Sequence, residues 1–125
     1  MPKVSKETAS QVEDHGALVV RSTDLDGYTV NLMTFVEGQD LTPMLAGLPG
    51  GQCHCPHWGY VLKGRMTVRY DDHEEVLEAG DAFYLPPGHV PTTEAGTEYL
   101  QFSPADQLAE TTAAIMKAMQ AAQGG

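Results

Sequence analysis

The sequence predicts one all-β domain, a sandwich or barrel of short antiparallel strands finished by a single C-terminal helix. Three observations lead there. The chain has 125 residues, the length of one ordinary domain. Between Ala17 and Phe102, short apolar runs alternate with Gly-, Pro- and Asp-rich breaks, at the roughly 8–12-residue spacing of a β-sandwich or barrel. A helical period of apolar residues appears only after Ser103.

Each element follows from its own residues. Residues 1–15 (MPKVSKETASQVEDH) are polar and without period, and predict a flexible N-terminal arm that orders only where something holds it. Residues 17–21 (ALVVR) form a short strand, and Leu25-Asp26-Gly27 is a turn. In residues 28–36 (YTVNLMTFV) both alternating faces are partly apolar, which predicts a strand covered on both sides. Glu37 to Gly51 carries four glycines and two prolines. It is long for a simple connection, and long loops are often functional. Further strands follow at Trp58–Leu62, Arg65–Tyr70, Glu75–Leu77, Ala82–Leu85, His89–Thr93 and Thr97–Phe102, separated by Lys63-Gly64, Asp71-Asp72-His73, Ala79-Gly80-Asp81, Pro86-Pro87-Gly88 and Ala95-Gly96. Ser103 reads as a helix N-cap with Pro104 at the first helical position. Leu108, Thr112, Ile115, Met119 and Ala122 form one stripe, with Met116 beside it, so the helix is expected over about 104–122. The domain reading is therefore an arm at 1–15, a β-barrel at 16–103 and a helix packed on it at 104–125.

Composition narrows the partners. Seven Lys and Arg stand against 17 Asp and Glu, a net charge of −10. Such a chain repels phosphate backbones and anionic lipid, so neither nucleic acid nor membrane is an expected partner. Lys3 and Lys6 are not followed by an apolar stretch, so no secretory signal is read. The two cysteines are near neighbours and cannot staple distant segments. The expectation is a reduced, cytoplasmic protein.

Chemistry concentrates in the string Gly51-Gln52-Cys53-His54-Cys55-Pro56-His57-Trp58. Thiolate and imidazole are metal donors. In an extended segment Cys53, Cys55 and His57 share a face, with His54, Pro56 and Trp58 on the other, unless Pro56 disturbs the alternation. His89, after Pro86-Pro87-Gly88, is a further donor from a second strand. The candidate metal ligands are Cys53, Cys55, His57 and His89, with His54 as a fallback. No role is read for His15 or His73, and nothing places Glu94 or Glu98 in a pocket as a general base. The Asp71-Asp72 and Glu74-Glu75 cluster reads as a solvated turn.

Gly59-Tyr60-Val61-Leu62-Lys63-Gly64, followed by Gly80-Asp81-Ala82-Phe83-Tyr84-Leu85-Pro86-Pro87-Gly88-His89, resembles the two motifs of the cupin superfamily. The likeness covers roughly residues 50–102. It implies a small antiparallel jelly-roll barrel whose inward residues hold one metal ion, and it implies a homodimer paired through sheet faces or exchanged terminal strands. The pattern departs from the family at the site. Counted back from Gly64, His57 stands at the glutamate position, Cys53 at the second histidine and Gly51 at the first. Pro91 stands where the second motif places a histidine, with His89 two residues earlier. The usual His/His/Glu/His set suits iron, manganese or nickel, whereas thiolate with imidazole suits Zn²⁺. Three functions stay open: a metal enzyme for a small molecule, with Cys53, His57 and His89 leaving a coordination position free; a structural zinc site closed by Cys55, in a binding or sensing module; and a metal-free ligand-binding barrel.

Overall fold

A computed structural model describes residues 3–124. Ten strands are arranged as two antiparallel sheets that face each other. The larger has the order β1 (Gln11–Asp14), β2 (Leu18–Leu25), β3 (Tyr28–Phe35), β10 (Glu98–Pro104), β5 (His57–Lys63), β8 (Ala82–Leu85). The smaller has the order β4 (Gln39–Asp40), β9 (Val90–Thr93), β6 (Arg65–Arg69), β7 (Glu74–Glu78). The sheets do not close into one continuous hydrogen-bonded barrel. The expected barrel is instead a jelly-roll-like pair of sheets, because the chain changes sheet at the corners. One such corner is Gly64, between β5 and β6. It has φ +80°, and a Cβ there would lie 2.6 Å from Thr97 Cα, so only glycine turns it without strain.

The β2–β3 hairpin closes on Asp26-Gly27, both at positive φ (51° and 83°). Two left-handed residues match the right-handed twist of the flanking strands. As the pattern of β3 predicts, both of its faces are covered: Val30 and Leu32 are buried on one side, Asn31 and Phe35 on the other. Between the sheets lies a core of Phe35, Val61, Met66, Val68, Phe83, Leu85 and Tyr99. Burying each large apolar side chain contributes roughly 1.5–3 kcal/mol.

Two features differ from the sequence reading. Residues 11–14 of the N-terminal arm form β1, an edge strand paired with β2. Lys6 reaches the buried carboxylate of Glu98 at 2.7 Å, and Ser10 N–H donates to Thr23 Oγ1 at 2.8 Å. Polar residues thus order here through hydrogen bonds and an ion pair, which leave no apolar period to read. The helix α1 (Ala105–Gly124) begins one residue later than expected. Ser103 and Pro104 belong to β10, and the Ser103 side chain faces inward, not toward the helix N-terminus. On α1 the covered stripe is Leu108, Thr111 and Ile115 with Ala114, while Thr112 and Met116 are exposed. The side chains of Met119 and Ala122 lie outside the described ones. This stripe seals a second core of Leu45, Leu48, Cys53, Cys55 and Val90. Leu45 and Leu48 come from the long Glu37–Gly51 segment, folded here into two single-turn 3₁₀ helices, Pro43–Leu45 and Pro49–Gly51.

Candidate metal centre

Cys53 and His89 are placed side by side by backbone pairing. Cys53 N–H donates to the His89 carbonyl at 3.0 Å, and His89 N–H returns to the Cys53 carbonyl at 3.2 Å. Gly88, at φ +97°, makes the turn that delivers His89 to this position. His57 opens β5, directly across from Leu85. The three side chains are buried, and one donor atom from each lies within 4.8 Å of the others. Cys53 Sγ is 3.5 Å from His57 Nε2, and the two imidazole rings meet edge-on with centroids 4.9 Å apart.

The surroundings orient these donors. His89 Nδ1–H donates to the Pro86 carbonyl at 2.8 Å. A carbonyl only accepts, so Nε2 of His89 carries the free lone pair. His57 Nδ1 meets Ser103 Oγ at 2.6 Å, which turns its Nε2 toward Cys53. Thr111 of α1 places Oγ1 3.5 Å from Cys53 Sγ. Burial, followed by the neighbouring His89, lowers the His57 pKa to about 3. Burial also lowers that of His89 and raises that of the Cys53 thiol. The imidazoles are therefore neutral at physiological pH, the form that coordinates metal.

The donor set fits a cation. Bonds of ~2.3 Å from sulfur and ~2.0–2.1 Å from nitrogen around a tetrahedral ion put donors about 3.5 Å apart, the Cys53–His57 separation. Both histidines have their second ring nitrogen held by a hydrogen bond, as metal-ligating histidines do.

Of the four residues singled out in the sequence, the structure brings together Cys53, His57 and His89, but not Cys55. Cys55 is buried on the same side as Cys53 and His57, yet its Sγ lies against the Pro56 carbonyl at 3.5 Å, within the apolar cluster under α1. The cause is Pro56: residues 53–56 bend before β5 starts, so equal parity no longer means convergence. Burial, with Cys53 beside it, pushes the Cys55 thiol up to about 12. His54 is exposed and donates to the Pro49 carbonyl at 2.7 Å. Gly51 and Pro91 offer no side-chain donor. Ser103 and Thr111 were not read from the sequence as site residues. The signal for Ser103 is parity: it shares the inward face of β10 with Tyr99 and Gln101.

The centre opens into a cavity of about 710 Å³ between the large sheet and α1, walled by Met33, Leu45, Leu85 and Ile115 among others. Loss of the neutral histidines is the expected acid weakness of the metal-stripped protein. His57 holds a folded pKa of about 3 against an ordinary 6.5, so below 6.5 the unfolded chain binds more protons. Stability is complete above that value and falls as pH drops toward 3. Urea unfolding at pH 7 and pH 5 is expected to differ by about 2 kcal/mol from this residue, and His57→Leu is expected to remove that part of the difference.

Residues 49–94 match the family model described as Cupin domain. Among solved structures, a protein of unknown function from Rhizobium leguminosarum superposes with a TM-score of 0.61 at 23% identity, covering 82% of this chain and 95% of the other. An RmlC-like cupin from Shewanella frigidimarina gives 0.56 at 23% identity, covering 81% and 88%. The polyketide cyclase RemF from Streptomyces resistomycificus gives 0.58 at 16% identity, covering 83% and 79%. No curated protein matches the chain. Residues 49–94 are thus similar to a cupin domain, and the two-sheet fold of the chain is cupin-like. Among the described residues no helix is long and apolar enough to cross a membrane.

Proposed function

We propose that this cupin-like protein binds one divalent metal ion, zinc, through Cys53, His57 and His89, and that the remaining coordination position faces a small molecule held in the cavity. The observation that carries the reading is the convergence of three buried donors, one of them sulfur, at the floor of that cavity. One thiolate with two imidazoles favours zinc over the iron, manganese or nickel of an all-histidine-and-carboxylate set. When bound, zinc with three protein ligands supplies a Lewis acid for a carbonyl oxygen or a means of activating water. The chain's own contribution is to orient His57 through Ser103, to fix the tautomer of His89 through Pro86, and to keep bulk water out with α1. The separation of Cys55 from the cluster favours this open site over a closed structural one. Elemental analysis of untagged protein tests it. About one zinc per chain is expected for the wild type and for Cys55→Ser, and less than about a tenth of that for Cys53→Ser. Equal loss in both cysteine variants, or no metal in the wild type, overturns the reading.

The same reading includes a homodimer. The outer face of the large sheet carries Tyr28, Trp58, Tyr60, Leu62, Tyr84 and Phe102, each 40–48% exposed. Trp58 lies opposite both Phe102 and Tyr84 and packs on the latter with the rings tilted and their centroids 5.0 Å apart. Along Trp58–Leu62 of β5, β8 and the Leu100–Phe102 stretch of β10, no exposed side chain is charged; the strip ends at Lys63. In a chain of net charge −10, a second copy is the occupant that such a neutral strip fits, since two acidic surfaces approach most cheaply where neither bears charge. Light scattering is expected to report twice the 13.5 kDa chain, and the chain mass for Trp58→Glu. A wild-type monomer at working concentration refutes the dimer.

A further inference from the structure

Beside the metal donors the cavity contains a row of neutral polar side chains that the metal reading leaves without a task. Ser22, Asn31 and Gln101 lie in register across β2, β3 and β10. All three are less than 10% exposed and line the cavity. Their hydrogen bonding is thin. Gln101 Nε2 reaches Asn31 Oδ1 at 3.5 Å, the outer limit for such a bond. Among the described residues, neither amide has another side-chain partner. Whichever way each amide is turned, one free donor and one free acceptor remain in a largely apolar space. The free amide atoms are not sealed in the protein, as Tyr70 Oη and Thr93 Oγ1 are; they open onto the cavity and are available to whatever enters it.

Position adds a length scale. Gln101 sits two residues before Ser103 on the inward face of β10, roughly 7 Å along the strand. Ser103 holds His57. A ligand reaching from the metal to the amide row is therefore a compact, ring-sized body, which suits a cavity of about 710 Å³. Charge sets a further limit. Among the described residues, the cavity lining includes no Lys or Arg, while Glu13 and Asp24 are on it. A carboxylate or phosphate at the amide row would be buried without a cation, a cost of several kcal/mol.

We propose that the ligand is an uncharged, mainly apolar ring compound that carries two oxygen functions, one facing the metal and a second, a carbonyl or hydroxyl, read by Asn31 and Gln101. This deepens the zinc-centre reading and rests on it for the first oxygen alone; the amide row and the lack of Lys and Arg on the lining hold without metal. The cation would itself hold an anionic oxygen, so the decisive titration uses chelator-stripped, full-length protein. The probes are an ortho-hydroxynaphthyl methyl ketone and the corresponding ortho-hydroxynaphthoate, of like shape and differing in charge. The ketone is expected to bind at least about tenfold more tightly than the naphthoate. Gln101→Met combined with Asn31→Leu is expected to weaken the ketone about five- to tenfold and to leave the naphthoate unchanged. Ser22→Ala, a smaller change in the same row, gives a second measurement if the double variant does not fold, with about a twofold loss expected. Equal binding of both probes, no measurable binding of the ketone, or indifference to these substitutions overturns the proposal. Added zinc is then expected to tighten ketone binding in the wild type but not in Cys53→Ser. If the charge preference stands in stripped protein and this last response is missing, the metal centre falls and the ligand class is retained.

Discussion

Replacing Gly59 by alanine is expected to destabilise the protein by more than about 4 kcal/mol, a large part of the ~5–15 kcal/mol that holds a domain together. Gly59 lies in the middle of β5, opposite Gln101 on one side and Phe83 on the other. A Cβ there would sit 2.2 Å from the Leu100 carbonyl oxygen and 2.4 Å from Phe83 Cζ. The phenyl ring is packed in the core and has little room to retreat. The carbonyl belongs to the β10 backbone, so relief requires β5 and β10 to part, and the ladder between them is lost. That same ladder sets Ser103 across from His57. The substitution is therefore expected to lower metal uptake along with stability. Chemical unfolding measures the first and zinc content the second. Gly47→Ala is the matched control: no atom lies within 4 Å of its added Cβ and its backbone is not left-handed, so a change within about 0.5 kcal/mol is expected. Adding Phe83→Ala to Gly59→Ala removes the ring but not the carbonyl, and is not expected to restore the fold. A Gly59→Ala protein as stable as Gly47→Ala would show that the strands tolerate the separation, and the close-approach argument would fail.

That close approach also marks what the sequence could and could not disclose. Strand positions and punctuation were legible because period-two patterning and positive-φ turns are local: Asp26-Gly27, Gly64 and Gly88 each announce a turn from their own residue type. Cys53, His57 and His89 could be singled out because thiolate and imidazole are metal donors, and because His89 follows the Pro86-Pro87-Gly88 turn onto a second strand. Parity on an extended chain failed for Cys55, since the bend at Pro56 preserves burial while redirecting the thiol. Ser103 shows a different failure. Before a helix, a Ser-Pro pair has a strong local meaning as a cap, and the non-local demand of an imidazole across the sheet overrides it. Asn31 and Gln101 are polar residues at inward strand positions. That conflict with the apolar pattern was visible in the sequence, but its purpose needed the register that puts them side by side. The edge strand β1 was hidden because its stabilisation is backbone pairing, which polar residues make as readily as apolar ones.

Removing the metal is expected to lower the melting temperature by about 10 °C without unfolding the protein at room temperature. A ligand present at a hundred times its dissociation constant stabilises the folded state by about 2.7 kcal/mol. For a chain of 125 residues, each kcal/mol moves the midpoint by roughly 3–5 °C. The size of the shift separates the alternatives. A site closed by four protein ligands would carry a far larger share of the stability, since structural zinc in small peptides supplies ~10–16 kcal/mol of apparent binding energy, and chelation would then collapse the fold. Here the main apolar core between the sheets contains none of the three donors, and Cys55, which shares the smaller cluster with Cys53, is not one of them. The sheets therefore keep most of their stabilisation when the ion leaves. The cost falls on the segment around Cys53 and on α1, which meets it through Thr111. Hydrogen exchange before and after chelation should locate the loss there and spare β3, β5 and β10. Cobalt substitution gives an independent reading of the same site: a thiolate-to-cobalt charge-transfer band is expected in the wild type and in Cys55→Ser, and none in Cys53→Ser. A melting temperature that ignores chelation, in protein shown to have carried metal, would place the ion somewhere other than among Cys53, His57 and His89.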